Sequence, residues 1–215
     1  MLRKSLVTGR LARSVATITA VCAVGIGTSA VTESPASASL LGSCHARTAS
    51  TPFASWGDSD SYFLMAGGGF ESGAGRWTLA GATVVDDNES YFVNQPDDTH
   101  SLSIPDGAQA TSPAICVDMG ENTVRFFVKS SAGAGSMLHI DAYVENPLTG
   151  LVLSAGVDID GADAADTWSP TDPILIPNLL GGLLGTQRLT LVFTPTGAPA
   201  TWNIDDVYVD PFKSH

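Results

Sequence analysis

Cysteine, basic residues and aromatics are all scarce in this chain, and each shortage excludes something. Only 3 of its 215 residues are Cys, with no clustered Cys or His ligands, so no zinc site of the usual spacing is encoded. Lys and Arg total 10 against 22 Asp and Glu, a net charge of −12. Nucleic acid and anionic membrane surfaces, which demand a basic footprint, are thereby excluded as partners. There is no G-x-S-x-G elbow, no H-E-x-x-H pair and no phosphate-cradling loop, so no enzyme activity is expected. Helical periodicity is missing too: only Leu179 to Leu184 suggests it, and two glycines weaken it there.

What is present is a globular composition, 44% hydrophobic with 22 Gly and 12 Pro, in a length that suits one domain. Residues 1–38 read as a secretory leader, which makes the protein secreted or extracellular. Arg3, Lys4, Arg10 and Arg13 precede an uncharged run from Ser14 to Val31, and Ala36-Ser37-Ala38 offers a small-residue cleavage site. The run is too rich in Gly, Ser, Thr and Ala to be a strong membrane span. Cleavage after Ala38 would leave 6 of the 10 basic and 21 of the 22 acidic residues, a net charge of −15. Such a coat keeps a protein soluble and draws cations such as Ca²⁺.

Cys22 would depart with that leader. Two cysteines left in an oxidising compartment most often pair. A Cys44–Cys116 disulfide is therefore expected, tethering an N-terminal arm (39–59) to a domain spanning 60–212. Leu41-Gly42-Ser43-Cys44 loosely matches a lipoprotein box but lies far from the apolar run.

Short alternating apolar runs recur at 61–66, 77–85, 90–93, 100–104, 109–117, 122–129, 136–146, 151–159, 173–177, 187–194 and 201–210, with Gly, Pro, Asn and Asp between them. The pattern predicts an all-β fold, an antiparallel β-sandwich of the jelly-roll type. Alternation assigns faces. Val124, Phe126 and Val128, Leu138 to Val144, Leu151 to Ile159, and Leu189 to Phe193 should turn alternate side chains to the core. If those strands adjoin in one sheet, the opposite side gathers Arg125, Phe127, His139, Asp141, Tyr143, Asp158 and Arg188 as a candidate ligand face. The last strand breaks phase, with Trp202 and Ile204 on even positions but Val207 and Val209 on odd ones. A β-bulge at Asp205-Asp206 would absorb the extra residue and turn a carboxylate inward. The acidic stretches Asp86-Asp87-Asn88-Glu89, Pro96-Asp97-Asp98 and Asp158 to Asp163 read as solvated loops and turns.

Gly69-Phe70-Glu71-Ser72-Gly73 with Trp77, and the closing Trp202-Asn203-Ile204-Asp205-Asp206-Val207-Tyr208-Val209, resemble the calcium-containing jelly-roll carbohydrate-binding modules of the galactose-binding-like sandwich. The chain also resembles standalone secreted proteins of actinobacteria that share this closing strand and a cysteine pair. The resemblance implies one structural Ca²⁺ between the chain ends, held by Glu71 and Asp206 with Asp205 as neighbour. Hard Ca²⁺ selects such oxygen donors.

The residues support two functional readings of different class. The first is a non-catalytic structural or interaction protein of the cell surface or extracellular space, in which the uncharged stretch Leu175 to Thr186 caps the sandwich or meets a partner. The alternative is a module binding a glycan or cell-wall component, with Phe127 and Tyr143 as stacking platforms amid the polar groups of the ligand face. An enzyme pairing Asp141 with Asp158 is disfavoured, since Arg125 and Arg188 beside them would depress the pKa that a general acid needs raised.

Overall fold

The computed structural model describes residues 44–118, 120–178 and 185–210. The chain divides into two units, Met1–Ser37 and Ala38–His215, and every described residue belongs to the second. The expected leader, the start of the arm at 39–43, the apolar residues 179–184 and the chain end past 210 lie outside the described residues.

Thirteen strands are described: β1 Phe63–Leu64, β2 Thr78–Ala80, β3 Thr83–Val85, β4 Ser101–Ile104, β5 Gln109–Thr111, β6 Ile115–Val117, β7 Thr123–Ser130, β8 Ser136–Glu145, β9 Val152–Asp160, β10 Ser169–Pro170, β11 Ile174–Leu175, β12 Gln187–Gly197 and β13 Trp202–Val209. They build two antiparallel sheets. The first runs β10-β7-β13-β4-β3, with β1 also on β13 and β11 on β7; the second runs β2-β5-β12-β8-β9, with β6 also on β12. This is the antiparallel jelly-roll sandwich that the alternation predicts. The run expected at 77–85 divides at Gly81, whose φ of 80° suits glycine. That turn passes the chain from the second sheet to the first.

The core between the sheets holds the expected alternating side chains: Val124, Phe126 and Val128 of β7, Leu138 to Val144 of β8, Leu189, Leu191 and Phe193 of β12, and Trp202, Ile204, Val207 and Val209 of β13. In β9 the inward set is only partly covered, and Val157 is exposed, because β9 ends its sheet.

A second apolar layer covers the outside of the first sheet. Phe53, Tyr62, Phe127, Trp168 and Tyr208 form it, and each such burial contributes roughly 1.5–3 kcal/mol. Phe53 stacks on Phe127 at 5.6 Å and meets Tyr62 and Tyr208 edge-on. The arm is tethered by the Cys44–Cys116 disulfide. Arg47 reinforces it, donating to Glu121 and to the Cys116 carbonyl while its guanidinium lies over Phe63. Residues 90–93, expected as a strand, form a loop instead. The Glu89 carboxylate accepts from the Tyr91 and Val93 amides, and Phe92 takes φ 52°, which removes the segment from any ladder.

Candidate functional site

The expected bulge is present. β13 pairs Asp205 with Phe127 and then Tyr208 with Arg125, so three steps on β13 oppose two on β7. Asp206 absorbs the extra residue at φ 48°, a left-handed conformation unusual outside Gly, Asn and Asp. Asp205 is fully buried and Asp206 is 2% exposed. Asp205 accepts from the Glu89 amide through Oδ2 at 3.0 Å and from the Asp206 amide through Oδ1 at 2.8 Å. Oδ1 of Asp206 has no hydrogen-bond partner. Gly69 leaves room for that oxygen: a Cβ there would stand 3.0 Å from it.

Three further carboxylates complete the cluster. Buried Glu89 braces the 91–93 loop, and buried Asp98 accepts from the Asn94 side chain and the Gln95 amide. Both are expected from the sequence in solvated loops; spacing alone carries no sign that their segments fold back over β13. Glu71 is half-buried and accepts from the Thr99 and His100 amides and from the His100 ring at 3.0 Å. Burial, then repulsion from Asp206, pushes Asp205 up to about 9. Burial, then Glu89, Asp98 and Glu71, pushes Asp206 up to about 8. Burial also raises Glu89 and Asp98. For Glu71 burial acts upward, but the His100 and Thr99 hydrogen bonds outweigh it and lower the pKa.

These donors are all hard oxygens, the class Ca²⁺ selects. Among the described residues, no three His, Cys, Asp or Glu side chains are gathered as a ready-made metal cage. The free oxygen of Asp206 is the feature that fits a cation best. Glu71 is committed to the 99–100 backbone and Asp205 to backbone amides.

The expected ligand face is divided by the structure. His139, Asp141, Tyr143, Asp158 and Arg188 do meet on the open side of the second sheet, where His139 pairs with Asp158 and Thr194, Tyr143 with Ser154 and Thr190, and Arg188 with Glu145. His139 lies over Gly156, where a Cβ would come within 2.9 Å of its ring. Its Nδ1 is 2.7 Å from Asp158 and its Nε2 3.4 Å from Asp141, and the Asp158 hydrogen bond leads in raising its pKa. Arg125 and Phe127 are elsewhere. Alternation fixes the side of a strand but not its sheet, and the connection after β7 crosses the sandwich, so both residues lie buried beneath the arm. Arg125 donates to Asp58 and to the Thr171 carbonyl, with its guanidinium 4.1 Å above Phe53. It is a strut for the arm.

That arm creates a surface that alternation does not reveal. Trp56, Tyr91 and Phe92 are 36%, 46% and 49% exposed. Trp56 and Tyr91 meet edge-on at 4.8 Å and both rest on Phe127. The Tyr91 hydroxyl donates to the Trp168 carbonyl. Lys129 lies 5.0 Å over the Trp168 ring and pairs with Asp87, which also accepts from the Asn203 side chain. Beyond them a shallow pocket of about 220 Å³ is lined by Lys129, Ser130, Ser131, Asp166, Thr201 and Asn203. The one signal in the sequence is the Tyr-Phe pair, which alternation assigns to a strand.

No protein-family model matches the chain, and no curated protein is similar to it in sequence. Several solved structures are similar to its sandwich. One is a family 61 carbohydrate-binding module in complex with β-1,4-galactotriose: 17% identity, TM-score 0.44, covering 68% of this chain and 96% of that one. Another is a family 16 carbohydrate-binding module: 13% identity, TM-score 0.46, covering 68% and 98%. A third is a family 28 module specific for non-crystalline cellulose: 14% identity, TM-score 0.45, covering 68% and 94%. These are distant likenesses, and what this chain binds has to be read from its own residues. Among the described residues no helix is long and apolar enough to cross a membrane.

Proposed function

We propose that this is a secreted, non-catalytic glycan-binding domain whose contact surface is the aromatic patch over the first sheet. The observation that carries the reading is the solvent-facing pair Trp56 and Tyr91, in edge-on contact and resting on buried Phe127, with exposed Phe92 next in the chain. A pyranose ring presents one face of C–H groups and a rim of hydroxyls. It is matched by rigid aromatic faces for the former and by a few placed polar groups for the latter. Asp87, Lys129 and Asn203 supply those groups beside the patch. Phe92 at a positive φ is the sort of backbone strain that collects at ligand sites.

In the same proposal, Ca²⁺ serves structurally at the bulge, with Asp206 as the ligand bearing a free oxygen and Glu71 and Asp205 beside it. When bound, it supplies the positive charge that the buried carboxylates lack. Glu89 connects the two features, since its amide donates to Asp205 while its carboxylate shapes the Tyr91–Val93 loop.

Affinity electrophoresis in gels containing soluble neutral polysaccharides tests the reading. Retardation by at least one polysaccharide is expected, lost in Trp56→Ala and Tyr91→Ala and kept in Tyr143→Ala. Retardation that disappears only in Tyr143→Ala would move the site to the open face of the second sheet.

A further inference from the structure

The sandwich is closed on one side by β9, nine residues that pair with β8 and, among the described residues, with no further strand. Edge strands are commonly protected from further pairing by Pro, Lys or a bulge. β9 has no Pro, Lys or bulge, and its only charges are Asp158 and Asp160 at one end; its sequence Val152-Leu153-Ser154-Ala155-Gly156-Val157-Asp158-Ile159-Asp160 continues in unbroken register along β8. Beside it runs a groove of about 590 Å³ between this edge and the Ser169–Leu175 segment of the other sheet.

The two walls differ. Pro170 and Pro173 interrupt the far wall, and a proline has no N–H to offer a ladder. Only the β9 edge can extend a sheet. The apolar lining includes Val128, Val157, Ile159, Ile174 and Leu175, the last 71% exposed. The rim carries Asp158, Asp160, Asp163 and Asp172, and no Lys or Arg lines the groove. Asp160 accepts from the Ala162 amide, while Asp158 pairs with the His139 ring on the open side of the sheet.

From this arrangement we infer that β9 is a docking edge for an extended basic segment of another protein, bound by strand addition. A strand laid beside β9 would turn alternate side chains two ways: outward beside Asp158 and Asp160, and inward over Val157, Ile159 and Ile174. The matching segment alternates Lys or Arg with aliphatic residues. Main-chain hydrogen bonds supply affinity in this mode and the alternate side chains supply selectivity. A second copy of this chain is a poor occupant, because its β9 carries no Lys or Arg to set against these carboxylates.

The inference does not rest on the glycan reading, and its test uses the full chain. A labelled eight-residue peptide alternating Lys and Val is titrated by fluorescence anisotropy at low salt. Its comparators are the same peptide with Glu for Lys, and the Lys peptide N-methylated at alternate positions along the edge meant for β9. The Lys peptide is expected to bind and the Glu peptide to fail. The N-methylated peptide and the triple variant Asp158→Asn, Asp160→Asn, Asp172→Asn should each weaken binding by roughly tenfold or more, equivalent to about 1.4 kcal/mol. An unchanged melting temperature shows that the triple variant is folded, and Trp56→Ala should bind the Lys peptide like the parent. Three results would overturn the inference: no binding of the Lys peptide, equal binding of the N-methylated peptide, or self-association of the protein that excludes the peptide.

Discussion

Raising the pH of chelated protein from 5 to 8 is expected to lower its melting temperature, because the bulge carboxylates hold their protons only in the folded state. Asp205 and Asp206 have folded pKa values raised to about 9 and about 8 against about 3.9 in an unfolded chain. Between those limits the folded state binds more protons than the unfolded one, so stability falls as pH rises. The protonated pair stabilises fully below about pH 4, and that contribution is lost progressively toward pH 8–9. Each carboxyl that stays protonated gives a slope of about 1.4 kcal/mol per pH unit. Because the two are coupled, one proton is the safer count, a loss of about 4 kcal/mol over three pH units. For a domain of this size that is roughly 8–16 °C in melting temperature. Ca²⁺ at about a hundred times its Kd should return about 2.7 kcal/mol. Differential scanning calorimetry in chelator and in Ca²⁺, at pH 5 and pH 8, reads both effects. Asp206→Asn should remove the Ca²⁺ response and lessen the pH dependence, which buried Asp205 partly retains, whereas Asp160→Ala should leave both intact. A melting temperature that ignores both pH and Ca²⁺, or an Asp160→Ala variant as altered as Asp206→Asn, would refute the reasoning.

Other consequences rest on particular contacts. Removing the disulfide with Cys44→Ser and Cys116→Ser frees a loop with a sequence separation of 72 and should destabilise by up to about 4 kcal/mol in the loop-entropy model, read by denaturant unfolding. Arg125→Ala removes the ion-pair partner of Asp58, which keeps only the Tyr62 hydroxyl and the Asp60 amide, and should cost up to about 3 kcal/mol, with early proteolytic cleavage near residues 50–60. The His139 imidazole should titrate above its usual range by NMR, through its Asp158 hydrogen bond, and Asp158→Asn should bring it down. Its stabilising effect is present at low pH and is lost as pH rises through the raised value.

The sandwich was legible because two-residue periodicity survives in β7, β8, β12 and β13, strands with one side packed between the sheets. The bulge was legible for the same reason, since Trp202 and Val207 can both reach the core only if a residue is absorbed between them. Arg125 and Phe127 were misplaced because periodicity says nothing about which sheet a strand joins. Glu89 and Asp98 read as solvated loop residues, Tyr91 as part of a strand, and Trp56 carries no local signal, because their positions depend on segments folding back over the first sheet. Those contacts join residues far apart in the chain, as Glu89 and Asp205 are at a sequence separation of 116, and no local pattern encodes them.

The central claim, glycan binding at the Trp56–Tyr91–Phe92 patch, is tested most directly on a microarray of neutral and acidic oligosaccharides. Of the four tryptophans only Trp56 is exposed, Trp77, Trp168 and Trp202 being buried, so protection from acrylamide quenching reports contact at the patch. The net charge of −12 disfavours acidic glycans. The expected result is binding to a subset of neutral oligosaccharides that protects Trp56 and is abolished by Tyr91→Ala. Absence of binding across the array, or binding that leaves Trp56 fully quenchable and survives Tyr91→Ala, would contradict it.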